Sequence, residues 1–409
     1  MTNRLATTLA GSATAAAVGI SLFAPAAAAQ PADASGRERT ASPIVIGHRG
    51  AAGTAPENTV AAFRDGRASG ADFFEIDVQL SADGVPFLFH DNTPARTTNV
   101  GTIFPGREND PITSFTWAEL QQLDAGSYFS DKYIGEKIPH FDAAAAAATR
   151  NTGVFIEIKS PVYSPGVEEV VADALATDPR WKKLVDADKI EVLGFDEASN
   201  VRFEELAPEI PLQQLAGTVP DAATLERYAG FADAFGTSYR TLDADGAQRV
   251  KDAGLGLGVY TVNSMEAVEE STALGVDRVT GDFPIQTERY LEGKKPFPAA
   301  RGLEISDSVN DVPGADLAPE VGEHVVVTNT SGRAIDVSGH VIRDAANNIL
   351  TIGGGYVMEP GAQLRVYSGP GTNSADAYYN NGTVNVLNNG GDSVALWTGR
   401  GTLLDTFAN

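Results

Sequence analysis

The sequence predicts a parallel α/β domain followed by a smaller all-β domain. Short β-rich runs alternate with alanine-rich helical stretches from Ile44 to Leu291, the pattern of strands joined by crossover helices. The segment Gly293–Gly302, rich in proline, glycine and charge, then breaks this alternation. After it come short alternating runs between Gly, Asn, Asp and Pro clusters, which are typical of a β-sandwich of about a hundred residues.

Composition limits the classes of protein that remain. A chain of 409 residues exceeds what one hydrophobic core usually serves, and this favours two folded domains. The formal net charge of -24, from 30 Lys and Arg against 54 Asp and Glu, opposes binding to nucleic acid or to anionic lipid surfaces, so no nucleic-acid partner is expected. The absence of cysteine excludes disulfides and any metal or redox site built on thiolates.

The first residues have the pattern of a targeting signal rather than of a fold. A short polar start with Arg4 precedes the apolar stretch Leu5–Phe23, and small residues follow where a signal peptidase would cut. We therefore expect a signal peptide over residues 1–29, a secreted protein and a disordered linker over residues 30–42. A transmembrane anchor is the alternative, but the many Ala, Gly, Ser and Thr residues oppose it.

Nine runs of the first domain have the composition of strands, one more than a (β/α)₈ barrel needs. The turn Ser81–Gly84 between the second and third runs is far shorter than the dozen or so residues of a parallel crossover, so we expect a hairpin-like irregularity there. The strand runs are Ile44–Gly47, Phe73–Leu80, Pro86–Phe89, Val154–Lys159, Ile190–Leu193, Leu212–Leu215, Ala234–Thr237, Leu257–Val262 and Arg278–Thr280. Helices are expected at Thr59–Ser69, Phe141–Thr149, Val167–Thr177, Asp196–Leu206, Ala223–Ala229, Ala244–Ala253 and Met265–Leu274.

Carboxylates recur inside two of the apolar strand runs. Glu75 and Asp77 are two residues apart in a strand and so project to the same face, an arrangement that suits a hard divalent cation. A solvated face on an edge strand would give the same spacing, but the apolar neighbours within Phe74–Val78 favour a buried strand. A later run repeats the alternation, with Glu157 and Lys159 on one face.

Two of the five histidines, His48 and His90, stand at the ends of strand runs, where a barrel collects its catalytic groups. Imidazoles can exchange protons near neutral pH. With Arg49, Lys159 and the carboxylates they form a set suited to phosphodiester cleavage, in which cations meet the developing phosphoryl charge. The sequence has no Gly-x-Ser-x-Gly elbow and no Gly-x-x-x-x-Gly-Lys-Ser/Thr loop, which disfavours acyl transfer and nucleotide hydrolysis.

Ten short motifs between Pro43 and Leu291 stand in an order and spacing that closely resemble the glycerophosphodiester phosphodiesterase family. They are His48-Arg49-Gly50, Pro56-Glu57-Asn58-Thr59, Glu75-x-Asp77, Asp83-Gly84, His90-Asp91, Arg96-Thr97-Thr98, Glu157-x-Lys159, Thr261-Val262-Asn263, Gly275-Val276-Asp277 and Asp282-Phe283-Pro284. The last motif either faces the ligand or only closes the barrel, and we leave it out of the catalytic set.

The resemblance implies a distorted TIM (β/α)₈ barrel over residues 43–292 and a chemistry for its residues. A divalent cation, Ca²⁺ or Mg²⁺, would be held by the carboxylates of Glu75, Asp77 and Glu157. His48 and His90 would act as the acid and base, and Arg49 and Lys159 would contact the substrate phosphate. A substrate hydroxyl next to the phosphodiester would attack phosphorus and give a cyclic phosphate that water then opens.

The sequence beyond the linker at residues 293–302 resembles a lamin-tail domain, an immunoglobulin-like sandwich that would occupy residues 303–409. The matching segments are Val327-Thr328-Asn329, Ile335-Asp336-Val337-Ser338-Gly339, Pro360-Gly361, Leu387-Asn388-Asn389-Gly390-Gly391-Asp392 and Gly401-Thr402-Leu403-Leu404-Asp405. The resemblance implies an accessory unit without catalytic residues, which would bind a cell surface or another ligand.

The leading interpretation is a secreted enzyme that releases an alcohol and sn-glycerol 3-phosphate from small glycerophosphodiesters or from teichoic-acid-like polymers. A phospholipase D-like or sphingomyelinase-like enzyme of the same superfamily, acting on intact lipid, is the first alternative. The second is of another class: a cell-surface binding protein in which the barrel is a scaffold and the β-rich domain binds the ligand.

Overall fold

Strands and helices alternate through the first part of the chain, as the sequence pattern predicts. The computed structural model describes residues 42–409, so the expected signal peptide and nearly all of the expected linker before the barrel lie outside the described residues. The strands of this part are β1 (Ile44–Gly47), β2 (Phe73–Leu80), β3 (Pro86–Leu88), β4 (Gly153–Ile158), β5 (Ile190–Gly194), β6 (Leu212–Leu215), β7 (Ala234–Ser238), β8 (Gly256–Tyr260) and β9 (Arg278–Gly281).

Eight of these strands close into a parallel barrel. β1 pairs in parallel with both β2 and β9, and the remaining neighbours follow in the order β9-β8-β7-β6-β5-β4-β2. β3 lies outside the ring and pairs antiparallel with the end of β2, where Val78 stands opposite Leu88. The distorted (β/α)₈ barrel and the hairpin expected from the short turn are therefore both confirmed.

The helices cover the outside of the barrel and bury its apolar residues. They are α1 (Val60–Ser69), α2 (Val100–Ile103), α3 (Trp117–Leu120), α4 (Asp142–Ala147), α5 (Val167–Thr177), α6 (Pro179–Val185), α7 (Glu197–Leu206), α8 (Ala222–Tyr228), α9 (Ala244–Asp252), α10 (Met265–Ala273) and α11 (Pro284–Leu291). In the largest core cluster, Phe63 of α1 stacks on Phe74 of β2, with ring centroids 5.1 Å apart. No helix within residues 42–409 combines the length and apolar character that a bilayer crossing needs.

Four helices fall outside the expected helical stretches: α2, α3, α6 and α11. Of these, α6 and α11 are longer than one turn. Both begin with a proline, Pro179 and Pro284. Proline breaks a helix when it lies in the interior, so a proline in the sequence argues against a helix around it. At the first helical position it is favoured, because the N–H that it lacks would have no partner in the helix. Asp178 accepts a hydrogen bond from the N–H of Arg180 at the start of α6, which supplies the N-cap.

Residues 303–409, called the β module below, form a sandwich. Its strands are β10 (Leu303–Val309), β11 (His324–Asn329), β12 (Ile335–Asp336), β13 (Val341–Asp344), β14 (Ile349–Thr351), β15 (Val357–Met358), β16 (Gln363–Tyr367), β17 (Ala377–Tyr379), β18 (Ser393–Trp397) and β19 (Leu403–Ala408). One sheet has the order β10-β11-β16-β17 and the other β14-β13-β18-β19. Alternate residues of both sheets, such as Val325 and Leu396, meet in one core, which confirms the expected β-sandwich.

Candidate active site

The residues singled out in the sequence meet at the carboxyl end of the barrel strands. His48 directly follows β1, and Glu75 and Asp77 lie on β2. β4 runs beside β2 in a register that places Glu157 opposite Asp77. Because the strands are parallel, their carboxyl ends share one edge of the barrel, where barrel enzymes assemble their sites.

Glu75, Asp77 and Glu157, called the acidic cluster below, are all buried and each offers an oxygen within 4.8 Å of the others. Burial, followed by the charges of the two neighbours, raises the pKa of Glu75 well above its ordinary value. Glu75 Oε1 and Asp77 Oδ1 are buried without a hydrogen-bond partner in the described part of the chain. Hard oxygen donors that lack partners fit a divalent cation such as Ca²⁺ or Mg²⁺.

Two cationic side chains border the acidic cluster. Lys159 Nζ lies 2.7 Å from Glu157 Oε1 and 3.4 Å from Asp77 Oδ1, and Arg49 Nε lies 3.6 Å from Asp77 Oδ2. Burial acts to raise the pKa of Asp77, but the nearby positive charges, led by Lys159, outweigh it and hold the pKa below its ordinary value. Asp77 is thereby kept as the charged form that a cation requires.

The backbone around the acidic cluster adopts a sparsely populated conformation at two non-glycine residues. Arg49 has φ 49° and Asn58 has φ 54°, both in the left-handed region. The conformation of Arg49 lets its backbone N–H donate to Glu75 Oε2, with the nitrogen 2.7 Å from that oxygen. The conformation of Asn58 lets it form a reciprocal pair with Asp77: its Nδ2 donates to Asp77 Oδ2 at 2.7 Å, and its Oδ1 accepts from the Asp77 N–H at 3.1 Å.

His48 is held by a carboxylate from the last barrel strand. Its Nδ1 lies 2.6 Å from Asp282 Oδ1, and Asp282 follows β9 directly. Asn263 fixes Asp282 in a second reciprocal pair, donating from Nδ2 to Asp282 Oδ2 at 2.5 Å and accepting the Asp282 N–H at 2.8 Å. A carboxylate on Nδ1 favours the tautomer in which Nε2 is left to exchange a proton with a substrate.

His90 is oriented by a second ionic network. Its Nδ1 lies 2.8 Å from Asp91 Oδ1, and Arg96 donates both to Asp91 and to Glu57, at 2.7 Å to the nearest oxygen of each. Burial opposes ionisation of Glu57, but Arg49 and Arg96 lower its pKa to about 2. Glu57, His90 and Asp91 also come close enough to suggest a metal site, but Arg96 already neutralises both carboxylates.

A cavity of about 260 Å³, called the inner chamber below, opens over these groups. Apolar side chains, among them Leu193 and Phe195, form part of its wall, and Tyr260 and Thr261 also line it. Six of the seven residues assigned to the site from sequence line it, and the seventh, Asp77, belongs to the acidic cluster at its base. The six are His48, Arg49, Glu75, His90, Glu157 and Lys159. The structure thus brings all seven together, while their catalytic roles stay predictions.

Six further residues of the site are absent from the set assigned from sequence: Glu57, Asn58, Asp91, Arg96, Asn263 and Asp282. Each lies in a motif that the sequence analysis quotes, and Asp282 stands directly after the last barrel strand, as His48 stands after the first. Position at a strand end was therefore the signal that could have assigned Asp282 to the site. The two asparagines carry no comparable signal, because their role depends on pairing with distant carboxylates.

Two family models match the chain. Residues 48–286 match the glycerophosphoryl diester phosphodiesterase family, and residues 296–409 match the lamin tail domain. The first match spans the barrel with its site residues, and the second begins shortly before β10. The resemblance drawn from the motifs is confirmed for both parts of the chain.

Similar proteins agree with the family match. A glycerophosphodiester phosphodiesterase of Caldanaerobacter subterraneus is 32% identical over 248 residues, which cover 59% of this chain and 94% of that protein. One of Bacillus subtilis is 29% identical over 280 residues, covering 64% and 92%. The solved structure of a phosphodiesterase of Oleispira antarctica in complex with the product sn-glycerol-3-phosphate is 29% identical, with a TM-score of 0.53, and covers 61% of this chain and 97% of that chain.

Proposed function

Because this chain belongs to the glycerophosphoryl diester phosphodiesterase family, we propose that it is a secreted, metal-dependent enzyme that cleaves glycerophosphodiesters by histidine acid–base catalysis. Hydrolysis of a glycerophosphodiester is the activity that its relatives share. The cation, the histidine roles and export are finer proposals. The observation that carries the cation and the histidine roles is the convergence of two carboxylate-bound imidazoles and the acidic cluster on one chamber.

The acidic cluster is the proposed site of the cation, Ca²⁺ or Mg²⁺. When bound, the cation would supply a Lewis acid that polarises substrate oxygens. The cluster is suited to it because oxygens of three buried carboxylates lie within 4.8 Å of one another, and two of these carboxylate oxygens accept no hydrogen bond within the described residues. Arg49 and Lys159, which border the cluster, are proposed to contact the phosphate and to offset its negative charge.

His48 and His90 are the proposed general acid and base, since both line the inner chamber and each is oriented through Nδ1. One imidazole removes the proton from the substrate hydroxyl next to the phosphodiester, and the hydroxyl oxygen forms a bond to phosphorus. The bond between phosphorus and the alcohol oxygen breaks, and the other imidazole protonates that oxygen. Water then opens the cyclic phosphate with the two roles reversed, giving sn-glycerol 3-phosphate.

Removal of the cation should abolish turnover. The purified protein should release sn-glycerol 3-phosphate from glycerophosphocholine and glycerophosphoethanolamine, lose this activity in EDTA, and regain it when Ca²⁺ or Mg²⁺ is added back. The physical reason is that the uncompensated acidic cluster would repel the substrate phosphate. Full activity after exhaustive dialysis against EDTA would contradict the proposed metal dependence. If neither substrate releases sn-glycerol 3-phosphate with Ca²⁺ or with Mg²⁺, the proposed substrate class is wrong.

An apolar rim beside Lys159 favours a second candidate, action on intact lipid. Val162 and Tyr163, in a short 3-10 helix after β4, are 77% and 52% exposed, and Phe195 is 48% exposed. Exposed apolar side chains next to a site can contact acyl chains. Adding lysophosphatidylcholine to the substrate panel separates the two candidates: we expect the higher kcat/KM on the deacylated substrate, and the reverse order would favour the lipid.

Export is proposed from the pattern of residues 1–29. A polar start, an apolar stretch and small residues before Gln30 are the features that signal peptidase substrates share. In an exporting host the protein should appear in the medium with Gln30 as its first residue, as read by N-terminal sequencing. A variant lacking residues 2–29 should stay in the cells, and recovery of the full chain from the cells, with Met1 intact, would count against export.

A further inference from the structure

A second cavity adjoins the inner chamber and is walled on one side by the β module. This cavity, called the outer chamber below, has a volume of about 390 Å³. The barrel contributes His48 and Arg49 to its lining, and the β module contributes Arg343, Asn347 and Trp397. Because His48 and Arg49 line both chambers, the chambers meet at the proposed catalytic groups.

Direct hydrogen bonds tie the β module to the rim of the barrel. Asn347 Nδ2 donates to the Tyr128 carbonyl oxygen at 2.7 Å, and Arg343 Nη1 donates to the Phe129 carbonyl oxygen at 3.3 Å. The hydroxyl of Tyr128 in turn accepts the Glu57 N–H at 3.0 Å. The β module therefore touches the same short segment that contacts the ionic network around His90.

Two arginines that line the outer chamber, Arg240 and Arg343, bind main-chain oxygens rather than side-chain carboxylates within the described residues. Within residues 42–409, neither Arg240 nor Arg343 has a side-chain carboxylate oxygen within ion-pair distance. Arg240 donates instead to two main-chain oxygens of the β module, from Nε to Asn409 at 2.8 Å and from Nη2 to Asp392 at 3.0 Å. Within the described residues Arg240 Nη1 and Arg343 Nη2 donate no hydrogen bond, so each guanidinium group keeps N–H donors for a ligand.

The carboxylates that line the outer chamber are already engaged. Asp344 accepts two hydrogen bonds of 2.6 Å from the backbone and side chain of Asn348. Asp392 accepts two from Asn388, at 3.0 Å and 3.1 Å. Asp282 and Glu57 are bound to His48 and to the arginines of the site. These carboxylates accept hydrogen bonds from the protein itself, and the two arginines can donate to the oxygen atoms of a ligand.

We propose that the outer chamber binds the leaving alcohol and that Arg240 and Arg343 make it select alcohols rich in oxygen acceptors, hydroxyl or phosphate, over quaternary ammonium alcohols. This inference rests on the proposed function, which places the glycerol phosphate half at the acidic cluster of the inner chamber. The alcohol on the far side of phosphorus then extends past His48 into the adjoining chamber. The β module becomes a wall of the substrate site and a determinant of specificity.

The test compares three substrates of the full-length protein: glycerophosphoinositol for hydroxyl groups, a dimer of glycerol phosphate units for a second phosphate, and glycerophosphocholine for a cation. We expect the wild type to show a higher kcat/KM on the first two. Arg343→Gln should lower kcat/KM on them about tenfold, the loss typical of a hydrogen bond to a charged group, and change glycerophosphocholine hydrolysis less than about threefold. Arg343→Lys should recover much of the loss. Arg400→Gln, at an exposed arginine between β18 and β19, is the matched control and should leave all three values unchanged.

A second pair of variants alters charge without removing a contact between barrel and β module. Ala345 is exposed and lines the outer chamber. Ala345→Glu should lower kcat/KM on the phosphate dimer about threefold and raise it on glycerophosphocholine, and Ala345→Lys should do the opposite.

The outcomes separate the inference from the function on which it rests. Equal losses on all three substrates, or a wild type that prefers glycerophosphocholine, would overturn the selective outer chamber while leaving the enzyme activity intact. No turnover of any substrate by the wild type would overturn the proposed function itself. If Arg343→Gln lowers kcat/KM on the phosphate dimer but not on glycerophosphoinositol, the arginines recognise a second phosphate rather than hydroxyl groups.

Discussion

Replacing His48 with glutamine should lower kcat/KM for glycerophosphodiesters about a thousandfold, the scale of general acid–base catalysis by one positioned side chain. Glutamine can still meet Asp282 through its amide, but it cannot exchange a proton. Because His48 lies at the junction of the two chambers, its loss should affect every substrate, whatever the alcohol. Steady-state kinetics with saturating cation, together with a thermal unfolding curve to establish the fold, measure the effect.

Two further variants give this prediction its controls. His140→Gln changes a histidine whose Nδ1 lies near Asp142 and which lines neither chamber, so it should leave kcat/KM unchanged. Asp282→Asn should cause a smaller loss than His48→Gln, because the imidazole remains but its orientation and tautomer are no longer enforced. If His48→Gln keeps more than a tenth of wild-type activity, His48 is not one of the two proton-transfer groups.

Replacing Glu75 with glutamine should lower activity about a thousandfold and also remove the stabilisation that the cation gives. A cation present at a hundredfold excess over its Kd stabilises the folded wild type by about 2.7 kcal/mol. Thermal unfolding with and without Ca²⁺ or Mg²⁺ should therefore show a rise in Tm for the wild type and none for the variant. Without cation the variant should remain folded, because glutamine matches the neutral carboxyl that the raised pKa of Glu75 favours.

Glu288→Gln is the matched control for the acidic cluster. Burial, followed by the charges of Asp72 and Glu292, raises the pKa of Glu288 to about 7, so this carboxyl also sits in an unfavourable environment, but it lines neither chamber. Its substitution should leave both the activity and the cation-dependent rise in Tm in place. A full rise in Tm for Glu75→Gln would place the cation elsewhere in the molecule.

The barrel, and the location of the site at the carboxyl end of its strands, could be predicted because the sequence signals for both are local. Apolar alternation marks the strands, and the turn Ser81–Gly84 is too short for any connection other than a hairpin. Polar residues at the ends of apolar runs mark the edge where parallel strands end together, which brings His48 and Glu157 to one site. Both steps use the geometry of neighbouring residues and need no knowledge of distant contacts.

The remaining parts of the site depend on contacts between segments far apart in the sequence. Asp282 contacts His48 although 234 positions separate them in the sequence, and neither residue type nor spacing predicts that contact. Likewise, Arg343 of the β module reaches Phe129 across 214 positions, so the sequence assigned no part of the β module to the site. Such contacts follow from the packing of whole elements, which periodicity and motif spacing do not specify.

The hairpin strand β3 has a consequence for how the enzyme can diversify. Since β2 pairs directly with β4, residues 89–152 leave and re-enter the barrel without taking part in its closure. The entropy lost on closing a loop grows only slowly with its length, so the exposed turns of this excursion can lengthen or shorten at small cost to folding, whereas its buried apolar residues must be kept. Yet its tip includes Tyr128 and Phe129, which line the outer chamber. Changes in residues 89–152 that leave the barrel intact can therefore alter the proposed substrate preference. Insertions in this segment are a starting point for directed evolution of new activities.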